Sequence, residues 1–209
     1  MKRTVLVDAL GTLVELEPPW EHLARALERT PDESLVRAVR AEMAYYREHS
    51  HEGRGAASLA ELRGRCAAVL SQALGEEVGV ATMMSAIRFR PFADAAPALA
   101  AARGAGAATV CVSNWDCSLP DVLARCGLAQ LLDGVVTSAG AGVRKPDPRI
   151  FADALKIAGC EPQDSLYVGD TPEEDGVAAR AAGIDFLLLD RAGGADISSL
   201  GEIVEHLDP

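Results

Sequence analysis

VLVDALGTLVELE, residues 5–17, runs three aliphatic residues straight into an acid, Asp8, and sets Gly11 and Thr12 just beyond it. A short apolar run that closes on a carboxylate has the pattern of a strand buried on both faces whose end meets something polar. With Thr4 included, the strand reads TVLVD (4–8). ATVCVS (108–113), GVVTS (134–138), SLYVGD (165–170) and IDFLLLD (184–190) repeat the pattern. Between them lie helical stretches, DAAPALAAARG (94–104), SLPDVLARCG (118–127), DPRIFADALKIAG (147–159) and DGVAARAAG (175–183), each closing on a glycine suited to the left-handed position past a helix end. Apolar strands separated by helices predict an α/β fold with a Rossmann-like parallel sheet covered on both faces. Ligands of such sheets sit beyond the carboxyl ends of the strands, so Asp8, Ser113 and Asp170 are expected to share one crevice.

At 209 residues the chain is long enough for one large domain or for a core with a smaller lobe. Apolar residues make up 49% and aromatics only 4%, so Ala, Val and Leu must do most of the packing. The net charge of -11 argues against a nucleic-acid binder, which needs a basic face. Five cysteines, an odd number without a CxxC pair, read as reduced core thiols. MKRTVLVDAL carries two basic residues, but its apolar run is too short for a leader, and no stretch approaches the ~18–20 apolar residues that span a membrane. A cytoplasmic protein without membrane partners is the expectation.

Residues 15–88 read differently. Thr30–Glu33 and Ser58–Glu61 match a capping box, with Pro31 in a first turn, and so predict two helix starts. Leu35, Val39, Met43 and Tyr46 share one helical stripe and Leu59, Leu62, Cys66, Val69 and Ala73 another, with 49–55 as the loop between. This segment is expected to be a small all-α cap domain, 15–88, on a core of 1–14 and 89–209.

Three constellations can carry chemistry. Asp8 precedes Gly11, which permits close backbone approach to a ligand, although an Asx turn onto Gly11 or Thr12 accounts for it equally well. Asp170 lies at a strand end ahead of Glu173, Glu174 and Asp175; acids in a first helical turn also complement the helix dipole. Carboxylates converging there repel one another unless a hard cation sits among them, and oxygen ligands suit Mg²⁺. Lys145, held extended by Pro146, reads by itself as a surface lysine, but next to such a cluster it would neutralise charge and hold a phosphate; Ser113 and Asn114 offer donors after their strand or equally form a turn.

Together VDALGTL, VCVSN, RKP and VGDTPEED resemble the four motifs of the haloacid dehalogenase superfamily, in order, with 15–88 where its helical cap belongs. The resemblance implies a Mg²⁺-dependent phosphatase acting on a small phosphorylated molecule. In it Asp8 is the nucleophile, Thr12 supports its loop, Ser113 and Asn114 bind the transferring group, and Lys145 bridges nucleophile and substrate. It further implies that Asp8, the backbone carbonyl of Leu10, Asp170 and Asp175, directly or through water, hold the metal. Leu10 departs from the pattern, because family phosphatases carry an aspartate there that protonates the leaving alcohol. A missing general acid costs ~10² to 10⁴ in rate. Glu15, Glu17, His22, His49 and His51 are the candidate substitutes from the cap. The resemblance leaves two alternatives: a metal-independent 2-haloacid dehalogenase, whose halide leaves without a proton, and a weakly active Mg²⁺- and phosphate-binding module.

Overall fold

A computed structural model describes residues 4–207. Residues 1–3 of the amino-terminal stretch and 208–209 of the expected core span lie outside the described residues. From β1 (Thr4–Val7) the chain passes to β2 (Val14–Leu16), then through helices α1 (Pro19–Ala26), α2 (Glu33–His49), α3 (Ala56–Leu74) and α4 (Val80–Ala86) to β3 (Phe89–Pro91). Strands and helices then alternate as α5 (Ala95–Gly104), β4 (Ala108–Ser113), α6 (Leu119–Arg125), β5 (Gly134–Thr137), the short α7 (Ser138–Ala141), α8 (Phe151–Ala158), β6 (Ser165–Gly169), α9 (Val177–Ala181) and β7 (Asp185–Leu188). The five long-range strands form one parallel sheet in the order β5-β4-β1-β6-β7.

The period of two along each central strand explains the near-continuous apolar runs. Val5 and Val7 of β1, Cys111 of β4 and Leu166 and Val168 of β6 enter the core on one face, whereas Leu6, Val110, Val112 and Tyr167 enter the core on the other. Val7 lies level with Cys111 on one side and Val168 on the other. That register brings Asp8, Ser113 and Asp170 to the same edge of the sheet, and the Asp8 amide extends the ladder by donating to Val168 O at 2.9 Å.

Helices α1–α4 pack around a separate apolar cluster that includes Leu35, Leu62 and Leu70. The chain enters and leaves them through a two-stranded antiparallel ribbon, β2 against β3, which pairs Val14 with Pro91 and Leu16 with Phe89. Three residues per strand are too few for a legible alternation, so the ribbon is absent from the sequence reading.

Both expected capping boxes are corrected. Helix α2 starts at Glu33 with Asp32 as its cap, its Oδ1 accepting from Leu35 N at 2.7 Å, because aspartate is the stronger cap than Thr30. Pro31 therefore lies outside the helix. Helix α3 starts at Ala56, and Ser58 sits one turn in, its Oγ accepting from Gly55 N at 3.1 Å; Ala56 and Ala57, strong helix formers, extend the helix backward. The α3 stripe turns toward buried Leu70 and leaves Ala73 exposed. Gly127, Gly159 and Gly183 take left-handed φ as expected, whereas α5 runs through Gly104 and turns at Gly106.

Candidate active site

At the sheet edge Asp8, Asp175 and Tyr167 surround one cation. Lys145 Nζ donates to Asp8 Oδ1 at 2.6 Å, to Asp175 Oδ1 at 2.6 Å and to Tyr167 Oη at 2.7 Å. Asp8, Lys145 and Asp175 are all buried, so this charge cluster is sheltered from water, and removing one partner costs more than it would in a surface pair. Burial, reinforced by Asp175 and Asp170 against the pull of Lys145, pushes the Asp8 carboxyl up to about 7. Burial draws the Lys145 ammonium down, but Asp8 and Asp175 outweigh it and keep the lysine charged.

Asn114 positions the lysine backbone from the neighbouring strand end. Its Oδ1 accepts from Lys145 N at 2.8 Å, and its Nδ2 donates to Lys145 O at 3.0 Å and to Glu174 Oε2 at 2.8 Å. Asn114 thus acts on Lys145 as well as lining the cleft. Glu174 is also paired with Arg144 Nη2 at 3.3 Å, and Arg144 Nη1 donates to Arg47 O at 3.0 Å, at the carboxyl end of α2. Ser113 is buried as the last residue of β4 and lines the same cleft. Thr12 is fully buried, but its Oγ1 has no hydrogen-bond partner. The Asp8 loop is instead tied through the Thr12 carbonyl, which accepts from Arg191 Nη2 at 2.8 Å, while Arg191 Nη1 reaches Asp94 Oδ2 at 2.8 Å.

Two glycines allow the carboxylates to close in. Gly11 has φ +85°, and a Cβ there would stand 2.0 Å from Asp170 Oδ2. After Gly169 a π-type turn, Pro172–Gly176, folds Asp175 back toward the strand, where it bonds Thr171 N at 3.0 Å. A Cβ on Gly169 would meet Asp175 Oδ2 at 2.4 Å. Gly169→Ala is therefore expected to lower stability by ~1–3 kcal/mol in urea unfolding, the cost of overpacking a filled site. An unchanged midpoint would mean that Asp175 is not held against the strand.

Oxygens of Asp8, Asp170 and Asp175 lie within 4.8 Å of one another, a hard donor set. Both Asp175 oxygens already serve protein donors, Oδ1 from Lys145 and Oδ2 from Thr171. Asp170 lies on the cleft side of the turn with part of its surface open to solvent, and partial desolvation of its carboxyl, followed by the Asp175 charge, raises its pKa.

A cleft of about 340 Å³ runs from these residues to the helices; Leu10 lines it, as do Glu42, Tyr46, Cys66 and Asp116. The acids and histidines singled out from the sequence are elsewhere. Glu15 pairs with Arg90 at 3.0 Å, Glu17 with His22 at 2.7 Å, and His49 stacks on Tyr45, so none of them, nor His51, lines the cleft. In the sequence Glu42 reads as one polar residue on a helix, and Asp116 carries no local signal, since only the fold brings it to Tyr46 Oη at 2.8 Å.

The profile of the haloacid dehalogenase-like hydrolases matches residues 2–183. Haloacid dehalogenase-like hydrolase domain-containing protein 3 of Bos taurus is 45% identical over 78 residues, covering 37% of this chain and 31% of that protein. A phosphoserine phosphatase of Thermus thermophilus is 36% identical over 108 residues, covering 50% of this chain and 42% of that protein. The match thus spans well under half the length of these curated relatives. The L-2-haloacid dehalogenase of Xanthobacter autotrophicus shares the fold with a TM-score of 0.74 at 22% identity, covering 98% of both chains. No helix among the described residues is long and apolar enough to cross a membrane.

Proposed function

The chain belongs to the haloacid dehalogenase-like hydrolases, and from that premise we propose that it hydrolyses phosphate monoesters of small molecules through an aspartyl phosphate on Asp8. The observation that carries this reading is the buried contact of Asp8 and Asp175 with Lys145 Nζ, 2.6 Å from each. Lys145 takes Oδ1 of Asp8, which leaves Oδ2 to form the bond to phosphorus as the bond to the ester oxygen breaks. Lys145 also neutralises the phosphoryl oxygens, Ser113 donates to them, and Asn114, both of whose amide hydrogens are engaged, holds Lys145 in place. Water then cleaves the acyl phosphate at phosphorus, releasing phosphate and restoring Asp8. Positioning and charge neutralisation carry such a transfer.

The donor set suits Mg²⁺. Asp8 and Asp170 would hold it directly with the Leu10 carbonyl, and Asp175, both of whose oxygens are engaged, through water. When bound, the ion neutralises charge on the phosphoryl oxygens. Residues 15–88 act in this reading as a cap over a core of 1–14 and 89–209, and the cleft between them admits the substrate.

Leu10 favours a second reading, a dehalogenase in which Asp8 displaces halide from carbon, since halide leaves without a proton. One experiment separates the two. Acetyl, phenyl and glycerol phosphates and 2-chloropropionate are offered to wild type and Asp8→Asn with and without Mg²⁺. Mg²⁺-dependent phosphate release that vanishes in Asp8→Asn is expected. Halide release without metal, or phosphate release that survives Asp8→Asn, overturns the phosphatase reading.

A further inference from the structure

Helix α2 buries Leu35, Ala38, Val39 and Glu42 on one face at helical spacing. A carboxylate thus occupies a position that the pattern reserves for an apolar side chain. Glu42 is 7% exposed, and the Cys66 thiol is its one side-chain hydrogen-bonding neighbour among the described residues. Burial, opposed by the hydrogen bond from Cys66, raises its pKa. An ionised carboxylate without a partner is strongly disfavoured out of water, and a buried acid of this kind in a cleft marks a place for a ligand.

Among the described residues no cation pairs with it. Lys145 is spent on Asp8 and Asp175, Arg144 on Glu174, and Arg65 on Glu52. Arg47, Arg63 and Arg125 line the cleft without an ion pair to Glu42. The neighbouring acid, Asp116, is already satisfied, since Ser118 N donates to Oδ1 at 2.7 Å and Tyr46 Oη to Oδ2 at 2.8 Å. Met43, Met83, Ile87, Phe89 and Trp115 give the same cleft an apolar wall. Such a wall fits a carbon skeleton, and the acid within it fits one cationic group at the end of that skeleton.

We propose that Glu42 is the specificity residue of this cleft and binds the ammonium group of a substrate whose leaving group is an apolar, amine-bearing alcohol. That the substrate is a phosphate ester rests on the phosphatase reading; ammonium recognition by Glu42 needs no turnover.

Calorimetric titration with tyramine, tyrosol and 4-ethylphenol, which share a ring and differ in the terminal group, tests it. Wild type is expected to bind tyramine at least ~10-fold more tightly than the other two, the discrimination given by a hydrogen bond to a charged group. Glu42→Gln, which keeps the shape and removes the charge, brings the three together. Glu42→Met, which completes the apolar stripe, carries the same comparison should the glutamine variant not fold. Absence of tyramine binding, tyrosol binding as well as tyramine, or a preference that persists in the variants overturns the proposal. Phosphate release from tyramine O-phosphate and 4-ethylphenyl phosphate separates the two readings. No release of either while the binding preference holds removes the phosphatase and leaves Glu42 in place; equal KM for both esters in wild type does the reverse.

Discussion

Leu10→Asp is expected to raise hydrolysis of alkyl phosphates by up to ~10² to 10⁴-fold while changing aryl and acyl phosphates far less. An alkoxide is a poor leaving group and needs a proton as the bond to phosphorus breaks; a phenolate or an acyl carboxylate departs without one. Leu10 lines the cleft two residues from Asp8, so a carboxyl there is at the right depth to supply the proton. The ratio of rates on glycerol and phenyl phosphates, measured in wild type and variant, isolates this effect from any general gain or loss. Equal change on both esters removes the missing-acid explanation. A dehalogenase predicts a different result, because halide release gains nothing from an added acid.

Lys145→Ala is expected to lower kcat by ~10² to 10³, the loss typical of removing one preorganised electrostatic contact. It is also expected to cost ~3–5 kcal/mol of stability in urea unfolding with a chelator present, because it orphans buried carboxylates. Asp8 and Asp175 both lose their partner at 2.6 Å. The double variant Asp8→Asn/Lys145→Ala should regain part of that stability, since one of the orphaned charges is gone. A double variant less stable than Lys145→Ala alone, or a single variant as stable as wild type, would show that the cluster is not ionised. Lys145→Arg is not a mild substitute, because a planar guanidinium does not fit a position shaped for a compact ammonium.

The sheet and its polar edge were legible because each strand is a short apolar run ending on a polar residue, and a parallel sheet aligns those ends. Asp8, Ser113 and Asp170 could be placed together from that alone. What the local pattern does not carry is contact across long separations. Tyr46 and Asp116 lie 70 positions apart, and Arg191 reaches the Thr12 carbonyl over 179. The ribbon of β2 and β3 was hidden by its length. Glu42 was hidden by its type: a glutamate on a helix is ordinarily read as solvated, and only burial shows that it belongs to the inward stripe. The substitutes for the missing acid failed for the converse reason, since Glu15, Glu17 and His22 find partners within the ribbon and first helix.

The position of β1 at the centre of the strand order also has a consequence for biosynthesis. β1 is the first of the sheet's strands to leave the ribosome, yet its neighbours begin at Ala108 and Ser165. At the ~5–20 residues per second of translation, the second neighbour follows roughly 10 to 30 s later. Through that interval Val5, Leu6 and Val7 lack the partners that bury them, and at least one edge of the strand has no ladder to join, a state that invites pairing with other chains. Residues 19–86, emerging in between, fold on contacts near in sequence and so need not wait. A stall in synthesis between β4 and β6 thus prolongs the exposure of the strand that carries Asp8, the part of the nascent chain with most to lose from delay.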